Sequence, residues 1–195
     1  MAEKLYEPLE DSFLLKKHIK KYVKGTVLDI GTGTGIQALE AAKSKRVVKV
    51  FATDINPKAI DYCREHVTNK KIIFLTSDLF NAFRFDKRYK DIKFDTIIFN
   101  PPYLPTDKKA KDIALDGGKN GYELICRFLN NAKPFLKPKT NILIIFSSLT
   151  GKEKIDHYLT KKHFTFKELE KKHIFFEDLF VYNSVLRIPM PLGLG

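Results

Sequence analysis

The chain has 195 residues, 44% of them hydrophobic and 30% charged, which suits one domain with a sizeable core and excludes a disordered chain. It carries no run of about 20 apolar residues, the length that a membrane span requires, and its first residues lack the apolar stretch of a signal peptide. Lysine and arginine number 35 against 23 acidic residues, a formal charge of +12, which favours a polyanionic partner such as RNA or simply reflects a lysine-rich surface. We expect a single cytoplasmic domain over residues 1–195, without membrane contact.

Amphipathic helical stretches alternate with short apolar runs as far as about residue 162, the pattern of a parallel sheet flanked by helices. The predicted helices are Ser12–Val23, Ile36–Lys45, Pro57–Val67, Tyr122–Leu136 and Lys152–Lys162. The predicted strands are Thr26–Ile30, Val47–Asp54, Lys71–Ser77, Phe94–Asn100 and Asn141–Ser147. Helix caps are expected from Asp11 or Ser12 and from Asn56.

After about residue 162, the alternation of helical and strand-like segments ends. Two extended, aromatic-rich runs, Phe164–Phe175 and Leu179–Ile188, are separated by Glu177 and Asp178. They predict an antiparallel hairpin that closes one edge of the sheet. Residues 1–24 form an N-terminal segment with its helix, and residues 189–195 are expected to be a frayed tail.

A glycine-rich loop follows the first predicted strand, in the order Asp29-Ile-Gly31-Thr32-Gly33-Thr-Gly35. Glycines allow a sharp turn and the close approach of a ligand to the backbone, and the following helix offers free N–H groups. The spacing G-x-G-x-G differs from the dinucleotide fingerprint G-x-G-x-x-G. The loop therefore indicates a nucleoside ligand of another kind.

Two further acidic residues end the next strands. Asp54, followed by Ile55, can accept hydrogen bonds from ribose hydroxyls, and Asp78 can accept from an adenine amine while Leu79 covers the ring. Each aspartate taken singly is also a plausible helix cap. Together with Asp29 they give an acidic strand-end rim, which suits a cationic sulfonium with an ammonium group better than a pyrophosphate.

The fourth strand ends in Asn100-Pro101-Pro102-Tyr103, the most specific motif of the chain. The prolines have no N–H groups, so the carbonyls of Asn100 and Pro101 are left as acceptors at the strand end. The Asn100 side chain adds one more acceptor and an NH2 that can donate to a substrate carbonyl. Tyr103 offers a ring on which a planar group can stack.

These acceptors suit an NH2 group on an sp2 carbon, whose delocalised lone pair is a poor nucleophile. Holding both of its hydrogens tilts the nitrogen towards sp3 and localises the lone pair. Close alignment with a methyl donor supplies much of the remaining acceleration, and no strong base is required. We therefore predict an S-adenosyl-L-methionine-dependent N-methyltransferase, with Asn100, Pro101, Pro102 and Tyr103 as its catalytic residues.

With these residues in place, the chain resembles the class I methyltransferases and, among them, the HemK-type protein-glutamine methyltransferases. The shared residues are Asp29–Gly35, Asp54, Asp78 and Asn100–Tyr103. Two further segments, Tyr6–Leu15 and Ala114–Glu123, are similar to the archaeal and eukaryotic branch that acts on release factors. The likeness extends from about Tyr6 to Leu136.

The resemblance implies a Rossmann-like, seven-stranded fold and methylation of the glutamine in the Gly-Gly-Gln loop of a translation release factor, alone or bound to another translation factor. It assigns cofactor binding to Pro8, Glu10, Asp11, Asp29, Gly31, Thr32, Gly33, Gly35, Asp54, Ile55, Asp78, Leu79 and Asn100. It also implies a small zinc-binding activator protein as a heterodimer partner, docked on an exposed edge strand near Lys71–Ser77. The N-terminal helical domain of bacterial members has no counterpart, which leaves substrate docking unexplained.

Two other functions stay open at this point. The same Asn-Pro-Pro-Tyr acceptors can hold an exocyclic amine of RNA or DNA. The net positive charge favours this alternative, and the absence of a separate target-recognition domain disfavours it. A non-catalytic adapter that binds the cofactor or the ribosome is the third. Cys63 and Cys126 lack a CxxC spacing, so we expect core cysteines and no metal site.

Overall fold

A computed structural model describes residues 7–103 and 117–187. The predicted tail 189–195 lies outside the described residues, as do Tyr6 and residues 114–116 of the glycine-rich segment. The strands are β1 (Gly25–Ile30), β2 (Val47–Asp54), β3 (Ile72–Thr76), β4 (Phe94–Phe99), β5 (Leu136–Ser147), β6 (Phe164–Ile174) and β7 (Glu177–Leu186). The α-helices are α1 (Glu10–Tyr22), α2 (Ile36–Ala42), α3 (Pro57–His66), α4 (Asn81–Phe85), α5 (Glu123–Ala132) and α6 (Lys152–Lys161).

The seven strands form one mixed sheet in the order β3-β2-β1-β4-β5-β7-β6. Strands β1 to β5 pair in parallel, and β7 runs antiparallel to both β5 and β6. The predicted Rossmann-like sheet with a C-terminal antiparallel hairpin is therefore confirmed. The carboxyl ends of β1, β2, β3 and β4 meet at one edge, where open α/β sheets bind their ligands.

Both faces of the central strands β1, β4 and β5 are buried, as near-continuous apolar strands require. On one face, the ring of Phe83 packs edge-on against Phe51 and Phe94, with centroids 5.5 and 5.1 Å apart. On the other face, Leu14 and Ile19 of α1 pack with small residues of α2. Helix α1 is thereby fixed against the sheet, which holds its first turn beside the strand-end edge. None of the helices in the described part of the chain is long and apolar enough to cross a membrane.

Two local predictions are wrong in their details, and a third is confirmed. Helix α1 is capped by the backbone of Leu9, without a side-chain hydrogen bond, because Asp11 and Ser12 lie inside its first turn with buried side chains. Glu177 and Asp178 do not separate the C-terminal strands. They belong to β7, where Glu177 pairs with Ile174, and the turn is Phe175-Phe176. The cap by Asn56 is confirmed, since its side chain accepts from Lys58 N–H.

Gly25 offers a test of the junction between α1 and β1. Its φ is +59°, and a Cβ there would collide with the Asp95 side chain, which accepts from Thr26 N–H at 2.8 Å and from the Lys137 ammonium at 2.7 Å. We expect Gly25→Ala to lower the free energy of unfolding by about 2–3 kcal/mol, through backbone strain and displacement of Asp95. Urea unfolding measures the loss.

Gly151→Ala is the matched control, because Gly151 also has a positive φ of +82° but its Cβ would meet only Lys154 at an ordinary 3.5 Å. Its free energy of unfolding should fall only by the cost of backbone strain, about 1 kcal/mol. Equal losses in the two variants would show that Asp95 does not matter at this junction.

Candidate active site

The glycine-rich loop between β1 and α2 turns the chain at the carboxyl edge with three positive φ angles, at Gly31 (+67°), Gly33 (+53°) and Gly35 (+82°). A Cβ on Gly31 would lie 3.8 Å from the Asn100 carbonyl oxygen, so this glycine borders the end of β4. A Cβ on Gly35 would lie 3.2 Å from Cys63 Sγ. The loop therefore lies between the end of β4 and α3.

Asp29 organises this loop from within. Its carboxylate is 1% exposed and accepts from the Thr32 hydroxyl at 2.7 Å and from Ala38 N–H at 3.1 Å. The second bond caps α2, whose N-cap residue Gly35 has no side chain to do so. Asp29 and Thr32 thus hold the loop in place, and their direct contact with a cofactor stays a prediction.

Asp54 at the end of β2 is tied to the same loop. One carboxylate oxygen accepts from Gly33 N–H at 2.9 Å and the other from Asn56 N–H at 2.9 Å. A carboxylate has about four lone-pair sites, so each oxygen can still accept a ribose hydroxyl. Asp54 is therefore both a brace for the loop and an acceptor available to a nucleoside.

The two carboxylates make the pocket electrostatically suited to a cation. Burial, together with a smaller contribution from the nearby Asp54, raises the pKa of Asp29 to about 7, although the hydrogen bonds from Thr32 and Ala38 lower it. Burial also raises the pKa of Asp54. A positively charged ligand favours the ionised form of such groups, which fits the ammonium and sulfonium of S-adenosylmethionine.

Asp78, after β3, is held by an arginine that the sequence did not single out. Arg127 of α5 donates to its two oxygens at 2.8 and 3.1 Å, a two-pronged pair. The pair fixes the carboxylate while leaving lone pairs for an adenine amine. Leu79, 8% exposed, packs in the core, whereas Ile55 is 55% exposed; the latter is therefore the more available apolar cover for a ring.

Asn100 has a defined orientation. Its side-chain nitrogen donates to Asp11 Oδ2 at 3.0 Å and to Ser12 Oγ at 3.3 Å. Its Oδ1 is buried and has no hydrogen-bond partner. Because both N–H groups are engaged by α1, the predicted donation from Asn100 to a substrate carbonyl is wrong, and the side chain offers an acceptor only.

The first turn of α1 contributes to the site through Asn100. Asp11 is 5% exposed and contacts Asn100 directly, while the exposed Glu10 pairs with Lys172 of β6 at 3.1 Å. The half-buried Pro8 lies just before the helix. Sequence reasoning missed Ser12 and also Gln37, whose amide donates to the Ser12 carbonyl at 2.9 Å. The signal in the sequence was Gln37 itself, because a glutamine on the apolar face of a helix requires a hydrogen-bond partner in the core.

The Pro101-Pro102-Tyr103 segment is enclosed by later parts of the chain. Pro101 is buried, whereas Pro102 and Tyr103 are half-buried. A Cβ on Gly117 would come within 2.8 Å of the Pro102 carbonyl oxygen and 2.9 Å of Tyr103 Cα. The Thr150 hydroxyl donates to the Tyr103 carbonyl at 3.1 Å. Gly117 is therefore required by close backbone approach, which the sequence pattern alone does not distinguish from a flexible loop.

Comparison with known proteins agrees with this geometry. A family model described as the methyltransferase small domain matches residues 10–176. A Methanocaldococcus jannaschii protein with the provisional name protein N5-glutamine methyltransferase is 37% identical over 187 residues, 92% of this chain and 91% of that protein. The release factor glutamine methyltransferase of Rhodopirellula baltica is 36% identical over 138 residues, 64% of this chain. The match spans 45% of that bacterial relative, about half its length.

Solved structures share the fold at lower identity. The E. cuniculi Mtq2–Trm112 complex, responsible for methylation of the termination factor eRF1, matches with a TM-score of 0.72 and 22% identity, over 93% of this chain and 98% of that one. M. capricolum TrmK, bound to the cofactor product S-adenosyl-homocysteine, matches with a TM-score of 0.62 and 13% identity, over 92% of this chain and 69% of that one.

The family model covers most of the chain, and the M. jannaschii relative is similar along nearly its whole length. The chain therefore belongs to the methyltransferase small domain family, in the HemK-type group of protein-glutamine methyltransferases, and its methyl donor is S-adenosyl-L-methionine.

Proposed function

We propose that this chain methylates the side-chain amide nitrogen of a glutamine, in the Gly-Gly-Gln loop of a translation release factor, alone or bound to another translation factor. The observation that carries the proposal is the buried, unpartnered Oδ1 of Asn100 at the end of β4. The names of the similar M. jannaschii and R. baltica proteins support the same substrate. Such a substrate places the reaction in the cytoplasm.

An unpartnered buried acceptor costs about 1–3 kcal/mol in a folded protein, so it calls for a donor that arrives with the ligand. A glutamine side chain brings an NH2 with two donors. Oδ1 of Asn100 accepts one of them. Among the described residues, no loop or turn N–H donates to the main-chain carbonyl of Asn100 or Pro101, and one of these carbonyls accepts the second.

These two bonds prepare a weak nucleophile for reaction. They hold the NH2 hydrogens out of the amide plane, so the nitrogen lone pair is localised and directed away from the acceptors. The cofactor, when bound, supplies an electrophilic methyl group. Asn100, Pro101 and Pro102 supply acceptors and no competing N–H, and Tyr103 provides a stacking surface for the amide plane. The gain comes from alignment rather than from a base.

The residues that would hold the cofactor are those of the acidic edge. Asp54 would accept from ribose hydroxyls, Asp78 in its Arg127 pair would accept from the adenine amine, and Ile55 would cover the ring. Gly31 leaves room for close backbone approach beside Asn100. The ionised carboxylate of Asp29 would favour the positive charge.

The distribution of basic residues argues against methylation of a nucleic-acid base. Lysine or arginine recurs before β1, β2, β3, β4 and β5, in segments 20–24, 43–46, 70–71, 87–93 and 133–139. These segments lie at the amino ends of the parallel strands, opposite the catalytic edge. Among the described residues, the strand ends beside Asn100 carry Asp29, Asp54 and Asp78, and Arg127 neutralises only the last, so a phosphate backbone is disfavoured where a flipped base would have to enter. Nucleic acid remains a secondary partner in this proposal.

A small zinc-binding activator protein is the second partner that we propose, docked on β3. This strand ends the sheet order and has half-buried Ile72, Ile73, Phe74 and Leu75. An apolar edge strand with unpaired backbone groups is a site for strand addition by another chain. The complex in which the structurally similar Mtq2 was solved supports such an arrangement.

Asn100→Ala tests the catalytic assignment. Removing Oδ1 deletes one of the two acceptors that hold the amide, so we expect kcat to fall roughly 10²–10³-fold, as for loss of one preorganised hydrogen bond in other active sites. S-adenosylmethionine affinity, measured by calorimetry, should change far less. Methyl transfer to a release factor is followed with labelled cofactor. Full activity of the alanine variant would remove the proposed role of Asn100.

The raised pKa of Asp29 predicts pH-dependent cofactor binding. Below pH 7 this carboxyl is largely protonated in the free protein, and a bound cation favours its ionised form. Affinity for S-adenosylmethionine should therefore rise with pH, by up to about tenfold per unit, and level off above pH 7. Calorimetric titrations from pH 5.5 to 8.5 measure this. Asp29→Asn, which can still accept from Thr32 and Ala38, should give a shallower profile; an unchanged profile would rule out Asp29 as its source.

If an activator protein binds β3, the isolated chain should be less active and less monodisperse than the complex. Co-expression with a small zinc-binding protein should yield a 1:1 complex by light scattering. Phe74→Lys on β3 should abolish it, because a lysine disfavours strand addition. A monodisperse monomer with full activity alone would contradict the need for a partner.

A further inference from the structure

The turn between β6 and β7 exposes two neighbouring aromatic side chains. Phe175 is 88% exposed and Phe176 96% exposed. Together they present roughly 300–400 Å² of largely apolar surface, the size of patch that marks interaction sites on soluble proteins. No other pair of adjacent residues among the large exposed hydrophobics of the described ranges is so uncovered.

The backbone of this turn does not call for phenylalanine. Ile174 pairs with Glu177, so the loop has two residues, and Phe175 has a positive φ of +43°. Glycine is favoured at the first position of such a turn, and asparagine, aspartate or serine after it. A bulky residue in the left-handed region is strained. The chain therefore carries two aromatic side chains that the geometry of the turn disfavours. This points to a role for them in contact with a partner.

The hairpin backbone that carries these rings is tied to neighbouring residues. Asp178 pairs with Lys171 at 2.9 Å and with His173 at 3.0 Å across the strands. Asp178 N–H also donates to Ser148 Oγ at 3.0 Å. A tip that is ordered before binding loses little conformational freedom on contact with a partner.

The tip is also connected to the catalytic motif. Ser148, which binds Asp178, begins the short 3₁₀ turn Ser148–Thr150, and Thr150 donates to the Tyr103 carbonyl. On the other side, Lys172 of β6 pairs with Glu10, the neighbour of the Asp11 that holds Asn100. Because Leu179 pairs with Ser147 at the carboxyl end of β5, the turn projects from the same edge of the sheet as the site.

We propose that Phe175 and Phe176 are a docking contact for the substrate protein, filling an apolar depression on the release factor next to its methylated loop. The inference rests on the proposed function and names the surface that recruits the substrate. The rings lie outside the chemistry itself, so they add affinity for the whole protein substrate and none for a short peptide that contains only the glutamine loop.

The test is the double variant Phe175→Gly/Phe176→Asn, which gives the turn residues that it favours and removes both rings. Its melting temperature should equal or exceed that of the wild type. We expect KM for intact release factor to rise about tenfold or more with little change in kcat. Methylation of a Gly-Gly-Gln peptide, measured at the same cofactor concentration and with the same activator content, should be unchanged.

Phe85→Asn is the matched control, because Phe85 is 76% exposed but follows β3 at the far end of the sheet. It should leave KM for intact release factor unchanged. An unaltered KM in the double variant, an equal loss in the control, or an equal loss with the peptide would each overturn the docking role. So would concentration-dependent dimerisation of the wild type, measured by light scattering, that the double variant abolishes.

Failure of the proposed function looks different. In that case neither the release factor nor the peptide is methylated by the wild type, whatever residues stand at the turn.

Discussion

The amide of Asn100 is nearly symmetrical in shape, and only its orientation decides whether β4 offers the cleft an acceptor or donors. Asp11 fixes that orientation, because a carboxylate accepts hydrogen bonds and must face the NH2 end. Ser12 takes the other N–H. The outcome is a buried oxygen with no partner inside the described protein, to which the proposed substrate would donate.

This constraint gives α1 its place in the structure. Leu14 and Ile19 bury the helix against the sheet, Arg46 donates to the carbonyls of Lys20 and Lys21 at its end, and Gln37 of α2 donates to the Ser12 carbonyl in its first turn. The helix is thereby fixed at both ends. The packing of α1 against the core thus determines the geometry of the Asn100 amide at the carboxyl edge of the sheet.

A second set of buried polar contacts prepares the cofactor side. Asp29 and Asp54 accept hydrogen bonds from the glycine-rich loop and from the start of α2. The loop therefore has its shape before any ligand binds. The same burial makes their negative charges costly, and a cationic ligand relieves that cost. Loop geometry and charge preference therefore come from the same two carboxylates.

Much of the fold was predictable, because its signals are local. Near-continuous apolar runs such as Asp95–Phe99 identify buried parallel strands, and Pro57 after Asn56 identifies a helix start. The end of β4 at Phe99 was predictable because prolines cannot donate to a strand ladder, whereas the catalytic role of the segment that follows stays a prediction. The expected separator, Glu177-Asp178, lies two residues beyond the actual turn, Phe175-Phe176. This shift hid the exposed pair, since aromatic residues favour strands over turns.

What the sequence could not give are the contacts between distant segments. Asp11 looked like a helix cap because capping is the commonest role for an aspartate before an apolar helix; only the packed helix places it beside Asn100. Arg127 and Thr150 lie on elements whose own patterns are ordinary, and their partners Asp78 and Tyr103 are identified only once the sheet is assembled.

The most direct test of the account is a crystal structure of the protein with S-adenosyl-homocysteine and a glutamine-containing peptide. We expect the glutamine side-chain nitrogen to lie about 2.9 Å from Asn100 Oδ1, with Asp11 still bound to the Asn100 nitrogen. The cofactor sulfur should lie on the opposite side of the glutamine nitrogen from that oxygen. A glutamine amide bound elsewhere, or an Asn100 whose Oδ1 has turned away from the cleft, would contradict it.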